Sequence, residues 1–147
     1  MANGFDGAKR QISGSFGTLW LDNEQVGECY GLQAKISFTK EDVSIPGQLM
    51  TDTKIKSSKG TGTLKLYKTN SRMAIKLAEA HKNGLDVRCT IISKLADPDS
   101  YGAERIAVKG VSFDDLILAD WEAGNLGKND VPFTFTDYEP LDLIEVR

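Results

Sequence analysis

Residues 59–72 read KGTGTLKLYKTNSR. Two glycines, three threonines and three lysines crowd together ahead of a helical pattern, which is the composition of a phosphate-binding loop. A Walker A loop needs G-x-x-x-x-G-K-[ST] directly before its helix. No Gly-Lys-Ser/Thr follows Gly60 and Gly62, and no third glycine stands at dinucleotide-binding spacing. Instead the residues alternate, with Thr61, Thr63, Lys65 and Tyr67 on one side and Gly62, Leu64 and Leu66 on the other. A period of two predicts a strand. Its glycine amides would lie far from the helix N-terminus that should receive a phosphate. Glycines in such a strand permit close approach of another backbone. The stretch reads as architecture, and the chain is read outward from it as a β protein.

On the C-terminal side, Thr69, Asn70 and Ser71 are N-cap candidates. Met73, Ala74, Leu77, Ala78 and His81 recur at helical spacing until Asn83-Gly84, which predicts a helix over 71–83. On the N-terminal side, 44–58 (SIPGQLMTDTKIKSS) is a long connection with a Pro-Gly turn. Ile45, Pro46, Leu49, Met50 and Ile55 make it more apolar than a solvated loop needs, so it is expected to be a binding arm or hairpin. Before it, Leu32, Ala34, Ile36 and Phe38 alternate with Gln33, Lys35, Ser37 and Thr39, a half-buried strand with one polar face. Residues 14–21 end at the turn signal Asp22-Asn23, and Val26 restarts an extended run. Beyond the helix, 85–93, 103–111, 112–121 and 131–138 all read as strands, separated by turn-rich LADPDSYG and EAGNLGKND. The tail EPLDLIEVR is left unassigned. These elements predict one mainly-β (α+β) domain, a β-sandwich or small barrel of about seven strands with one flanking helix.

The 147 residues suit one compact domain, and no apolar run approaches the ~20 residues that cross a bilayer. Residues 1–13 lack the apolar stretch of a secretory signal and are expected to be an arm, flexible or ordered by a partner. Cys29 and Cys89 each sit in an apolar, strand-like run, so two reduced, buried thiols are expected. With His81 the sole histidine, a zinc or copper site has too few ligands, and its late position in the helix suits the C-terminal dipole. Asp97, Asp99 and Gly102 echo a calcium loop, but Val108 stands where the bidentate Glu belongs; a plain acidic turn is the better reading. Asp114 and Asp115 on a strand would face opposite ways. No residue has a nucleophile–base context, so no enzyme, cofactor or metal is expected.

Charge is divided unevenly. From Thr53 to Ala78 there are seven basic residues and no acid, and from Asp114 to Glu145 nine acids and one base, Lys128. Nucleic-acid binding is one reading, but Tyr67 is the sole aromatic in the basic part and the net charge is −3. Copies meeting positive patch on negative patch is another. Two solvated faces are the third. Long half-polar strands, strand glycines and a sticky arm favour an assembly protein, whose sheet edges would pair with other copies.

Four ordered stretches carry a resemblance. ISGSFGTLWLDNE, SIPGQLMTDTKIKSSKGTGT, GTGTLKLYKTNS with its helix, and NDVPFTFTDYEPLD resemble, in that order, the tail tube (core tail) proteins of contractile phage tails, the PBSX-type prophage and R-type phage-tail-like bacteriocin group. The resemblance implies six copies in a ring whose inner strands form one continuous barrel. Rings stack into a tube inside a contractile sheath, driven through the target envelope. It implies no catalytic residue, cofactor, metal or small-molecule substrate. Implied partners are other copies, the sheath, baseplate and tail-terminator proteins, and a tape-measure protein in the lumen, with non-specific DNA passage through an acidic lumen in a DNA-carrying particle. Implied location is a virion tail or tail-like particle assembled in the bacterial cytoplasm. On this reading 44–58 is an inter-ring arm. Ile45, Pro46, Leu49 and Met50 would contact the neighbouring ring, and Lys54, Lys56 and Lys59 would face acids from 114–145 of another subunit, unless those acids line the lumen. A type VI secretion-like tube protein and a monomeric ligand-binding β-barrel are the alternatives.

Overall fold

A computed structural model describes residues 7–146. Among them lie β1 (Gly17–Leu21), β2 (Glu24–Gln25), β3 (Cys29–Val43), β4 (Asp52–Tyr67), α1 (Arg72–Lys82), β5 (Cys89–Leu95), β6 (Glu104–Phe113), β7 (Lys128–Phe135) and β8 (Asp137–Asp142). The hydrogen-bonded order is β2-β1-β5-β6-β7-β4-β3, with β8 also on β6. The chain is mainly β, as the period-two patterns predict. The sheet does not close into a barrel: β2 and β3 are its ends, and it folds over its own apolar face. Leu64, Ile91, Val111 and Phe133, each from a different strand, are fully buried there, each contributing about 1.5–3 kcal/mol by leaving water.

Gly60 and Gly62 occupy β4 opposite Phe135 and Phe133 of β7. A Cβ at Gly60 would stand 2.5 Å from the Phe135 ring, and one at Gly62 would strike both the Phe133 ring and the Gln33 carbonyl. The strand glycines thus make room for two core aromatic rings as well as for the neighbouring backbone of β3.

The helix begins as its sequence suggests, with a change of partner. Ser71 makes no side-chain cap bond; the Asn70 carboxamide oxygen accepts from the Arg72 amide at 3.0 Å. It ends in a Schellman motif, in which Gly84 (φ 71°) donates to the His81 carbonyl at 3.0 Å and Leu85 to the Ala80 carbonyl at 2.8 Å. That stop consumes the first residues of the expected strand at 85–93, so β5 starts later.

Three other expectations change. The connection 44–58 is a loop only over 44–51, because Thr53–Ser58 pair with β3 and the element is a hairpin. The strand expected at 112–121 stops at Phe113. Continuing would set Asp114 against Pro132; the Asp114 amide donates to the Pro132 carbonyl at 2.9 Å, but proline has no N–H to return the bond. The strand expected over 131–138 divides, β7 ending at Phe135 and β8 starting at Asp137, and the unassigned tail extends β8, which pairs with β6 from Arg105 to Lys109.

Residues 1–6 of the N-terminal arm lie outside the described residues. The following part forms a 3₁₀ turn at Ala8–Arg10 and is tied to the turn after β5. The Ser13 amide donates to the Asp97 carboxylate at 2.9 Å, and the Arg10 guanidinium to the Asp99 carbonyl at 3.0 Å.

Candidate assembly surfaces

No group of three or more His, Cys, Asp or Glu among the described residues is placed to hold a metal ion. Asp97 accepts from the amides of Ser13 and Asp99, which holds its carboxyl below the ordinary range and makes it a turn-forming acid. Cys29 is half-buried and Cys89 buried, both as free thiols; burial, with the nearby Asp22 carboxylate, pushes the Cys89 thiol up to about 11. A cleft lined by Glu28, Tyr67, Arg72 and Asn129 has a volume of only about 20 Å³, room for one water. An open groove of about 450 Å³ runs beside α1, past Leu21, Ile75 and Lys76. Among the described residues the sheet does not close into the barrel that the ligand-binding alternative needs.

The surface that the structure does build is the β3–β4 hairpin. From Ser37 to Lys59 every residue except Ile45 is exposed. Seven to eight residues per strand, at ~3.3 Å each, project about 25 Å beyond the core. Leu49 (105% exposed) and Met50 (84%) form the tip, with Phe38 and Ile55 exposed behind them. Pro46 is exposed beside the half-buried Ile45. Lys54 stands opposite Glu41, Lys59 opposite Ser37, and Lys56 falls at the irregularity between Ser57 and Ile55. Among the described residues no ion pair within 4.0 Å involves these three lysines.

The body of the sheet has one apolar and one polar face. Opposite the core, Gln33, Lys35 and Ser37 of β3 lie beside Thr63, Thr61 and Lys59 of β4. The same face carries Lys65 opposite Asp130 and Tyr67 opposite Lys128. A β-bulge at Tyr30 brings its ring onto Tyr67 at 4.4 Å, with the Lys128 ammonium 5.6 Å from the Tyr30 ring centroid. The sequence pattern misses this pair, because period-two counting has no place for a bulge.

Geometry also divides the charges. Arg72 binds Glu28 at 2.8 Å and Glu24 at 3.3 Å, and Lys76 binds Asp22 at 2.5 Å. These pairs tie the amphipathic helix to the turns around β2. The Arg72 bond holds the Glu28 carboxyl below its usual range. Burial works upward on Asp22, but bonds from Lys76 and the Thr90 amide outweigh it and hold it low. Among the C-terminal acids, Glu139 pairs with Lys109 at 2.9 Å and Asp142 with Arg105 at 3.3 Å. Among the described charges with no ion pair within 4.0 Å are the lysines of β4 and the acids of 114–127. That segment, expected to be a strand as far as Trp121 and a turn beyond it, exposes Leu118, Trp121 and Leu126.

The described residues form a β domain with one apolar and one polar sheet face, a projecting apolar hairpin and an open edge strand. The sequence pattern of the phage tail tube protein family matches residues 6–142. The phage-like element PBSX protein XkdM of Bacillus subtilis (strain 168) is 33% identical over 134 residues, covering 90% of this chain and 91% of that protein. A chain in the cryo-EM structure of the anti-feeding prophage tube-terminating cap superposes with a TM-score of 0.69 at 12% identity, over 90% of this chain and 91% of that one. A chain of the PVC sheath–tube complex, from an extracellular contractile injection system in its extended state, gives 0.67 at 9% identity, over 92% and 95%. The protein belongs to the phage tail tube family, and is a structural tail tube subunit rather than an enzyme.

Proposed function

We propose that six copies of this subunit close into a ring, that rings stack into a hollow tube, and that sheath contraction drives the tube through a target envelope. The particle is a contractile phage tail or a phage-tail-like bacteriocin, assembled in the bacterial cytoplasm. The observation that carries this reading is the projecting hairpin. Its tip and flanks expose Leu49, Met50, Phe38 and Ile55, a concentration of apolar surface that gains burial only against another molecule. The inter-ring role of Ile45, Pro46, Leu49 and Met50 rests on the same argument.

Ring closure gives the open edge of β3 a partner strand and removes a template for uncontrolled pairing. The β3–β4–β7 sheet then forms the tube wall, its apolar face on the domain core and its polar face on a water-filled lumen. With that face inward, the wall would carry Lys35, Lys59, Lys65 and Lys128 against Asp130. A tape-measure protein would fill this lumen before firing, and DNA would pass without sequence preference in a DNA-carrying particle. Sheath, baseplate and tail-terminator proteins would meet the outside and ends, as the settings of the structurally similar chains suggest.

Electron microscopy of the concentrated chain, alone and co-expressed with its sheath protein, tests the reading. Hollow filaments with sixfold end views are expected. Persistent monomers, or rings of another symmetry, would overturn it.

A further inference from the structure

Two of the surfaces that expose apolar side chains lie at opposite ends of the same strand. The hairpin tip stands at the Asp52 end of β4. At the Tyr67 end, Lys128 is the register partner, and the preceding residue, Gly127, accepts the Lys68 amide at 2.9 Å. The 114–127 segment leaves β6 beside Pro132 and runs toward that far end, where Asp115 and Ile117 help to line the cleft beside Leu66 and Asn129. Sixteen residues of β4 at ~3.3 Å separate the tip from this end by about 50 Å.

The chemistry of the two ends is complementary. Leu118 is 78% exposed, Trp121 85% and Leu126 93%. Around them stand Asp114, Asp115, Asp120 and Glu122, and 114–127 contains no basic residue. The tip offers Leu49 and Met50, with Asp52 and Asp42 close behind it and Lys54, Lys56 and Lys59 further along β4, Lys54 opposite Glu41. Of the acids that follow, Glu139 and Asp142 are matched inside the chain, and Asp130 stands opposite Lys65 on the polar face of the sheet; the densest run without a base is 114–127. A patch at one end that fits a different patch at the other makes a heterologous contact, which repeats without closing and builds a filament.

We infer that the 114–127 segment is the receptor for the hairpin tip of a second copy in the next ring, with Trp121 and its apolar neighbours taking Leu49 and Met50 and the segment's acids facing the β4 lysines. This rests on the stacked-ring reading and names the partner surface of its arm.

The test assembles tubes from a mixture of two full-length variants, Met50→Cys and Trp121→Cys, under mild oxidation. A disulfide-linked heterodimer is expected in the mixture and not in either variant alone, where Cys29 and Cys89 set the background. Met50→Cys mixed with Ile75→Cys, on the exposed face of α1, is the control. Product at that control pair and none at 50–121 would overturn the inference. A second measurement needs no variant. Hydrogen exchange of the wild-type chain should slow at least ~10-fold in both 45–51 and 118–127 on tube formation. Protection of 45–51 alone overturns the inference, as does protection of 118–127 that appears only when sheath protein is added. Tubes that lack the contact defeat this inference alone. A wild-type chain that never forms tubes, even with sheath protein, defeats the stacked-ring reading with it.

Discussion

The ring of Phe133 occupies the space above Gly62 in which a Cβ would stand. The two are register partners across β7 and β4, and on the other side the same space is closed by the Gln33 carbonyl. Gly60 and Phe135 repeat the arrangement, with ring atoms of Phe135 as the three nearest obstacles. The core thickness at this end of the sheet is therefore set by two absent side chains.

An ordering of substitutions follows from that difference. Gly62→Ala should cost about 1–3 kcal/mol through overpacking, and Gly60→Ala less, since a ring shifts more readily than a backbone. Adding Phe135→Leu should restore most of the loss at Gly60. Adding Phe133→Leu should restore only part of it at Gly62, because the Gln33 carbonyl remains. Urea unfolding of the single and double variants measures this; equal costs at the two glycines, or full rescue at Gly62, would contradict the packing described.

The Arg72–Glu28 pair predicts a pH dependence. Side chains at 20% and 10% exposure are better shielded than an ordinary surface pair, so Arg72→Ala should destabilise by about 1–2 kcal/mol at pH 7. Glu28 has a depressed folded pKa, so its contribution is complete above the unfolded carboxylate value and lost as pH falls through the folded value. The gap between wild type and Arg72→Ala should accordingly narrow on acidification. Thermal melts at pH 7 and pH 3 read it, and a gap that widens in acid would sink the assignment.

The hairpin tip predicts a separation of folding from assembly. Leu49→Asp with Met50→Asp removes no core contact, so the variant should unfold within ~0.5 kcal/mol of wild type yet form no tubes. Tubes of normal length in negative-stain micrographs would refute the arm's role.

Salt should weaken the contact that the β4 lysines make. Reversing Lys54, Lys56 and Lys59 to Glu should slow tube growth and invert or flatten its salt response, because exposed charges are screened beyond ~8 Å at physiological ionic strength. Growth and salt dependence indistinguishable from wild type would place those lysines outside any subunit contact.

The thiols give a check on burial. Cys89, buried and with its thiol pushed up to about 11, should resist alkylation at pH 8 until the chain unfolds. Cys29, half-buried and also raised by burial, should react first. Mass spectrometry after timed maleimide exposure distinguishes the order, and early labelling of Cys89 would contradict the core described.

Period and punctuation were legible in the amino-acid order alone. Alternation through Leu32–Thr39 and Gly60–Tyr67 marks strands because side chains on extended backbone point to opposite faces in turn. Asn83-Gly84 marks the helix end because only a residue tolerant of positive φ closes a Schellman turn. The apolar excess at Ile45, Leu49, Met50 and Ile55 marked a segment unsuited to solvent, and those features rest on residues close in sequence.

What needed the tertiary structure was everything that depends on which strand lies beside which. Pro132 ends the β6–β7 ladder and leaves most of the strand expected over 112–121 unpaired, an effect exerted by a residue nearly twenty positions away. Arg72, Lys76, Glu139 and Asp142 have the same formal charges as their neighbours, but their partners neutralise them, so the sequence overstated the charge split. Gly60 and Gly62 read in sequence as strand positions open to a neighbouring backbone, and only the fold set Phe133 and Phe135 opposite them. Register decides these matters, because pairing is chosen by the summed burial of many side chains across the sheet and not by any local stretch.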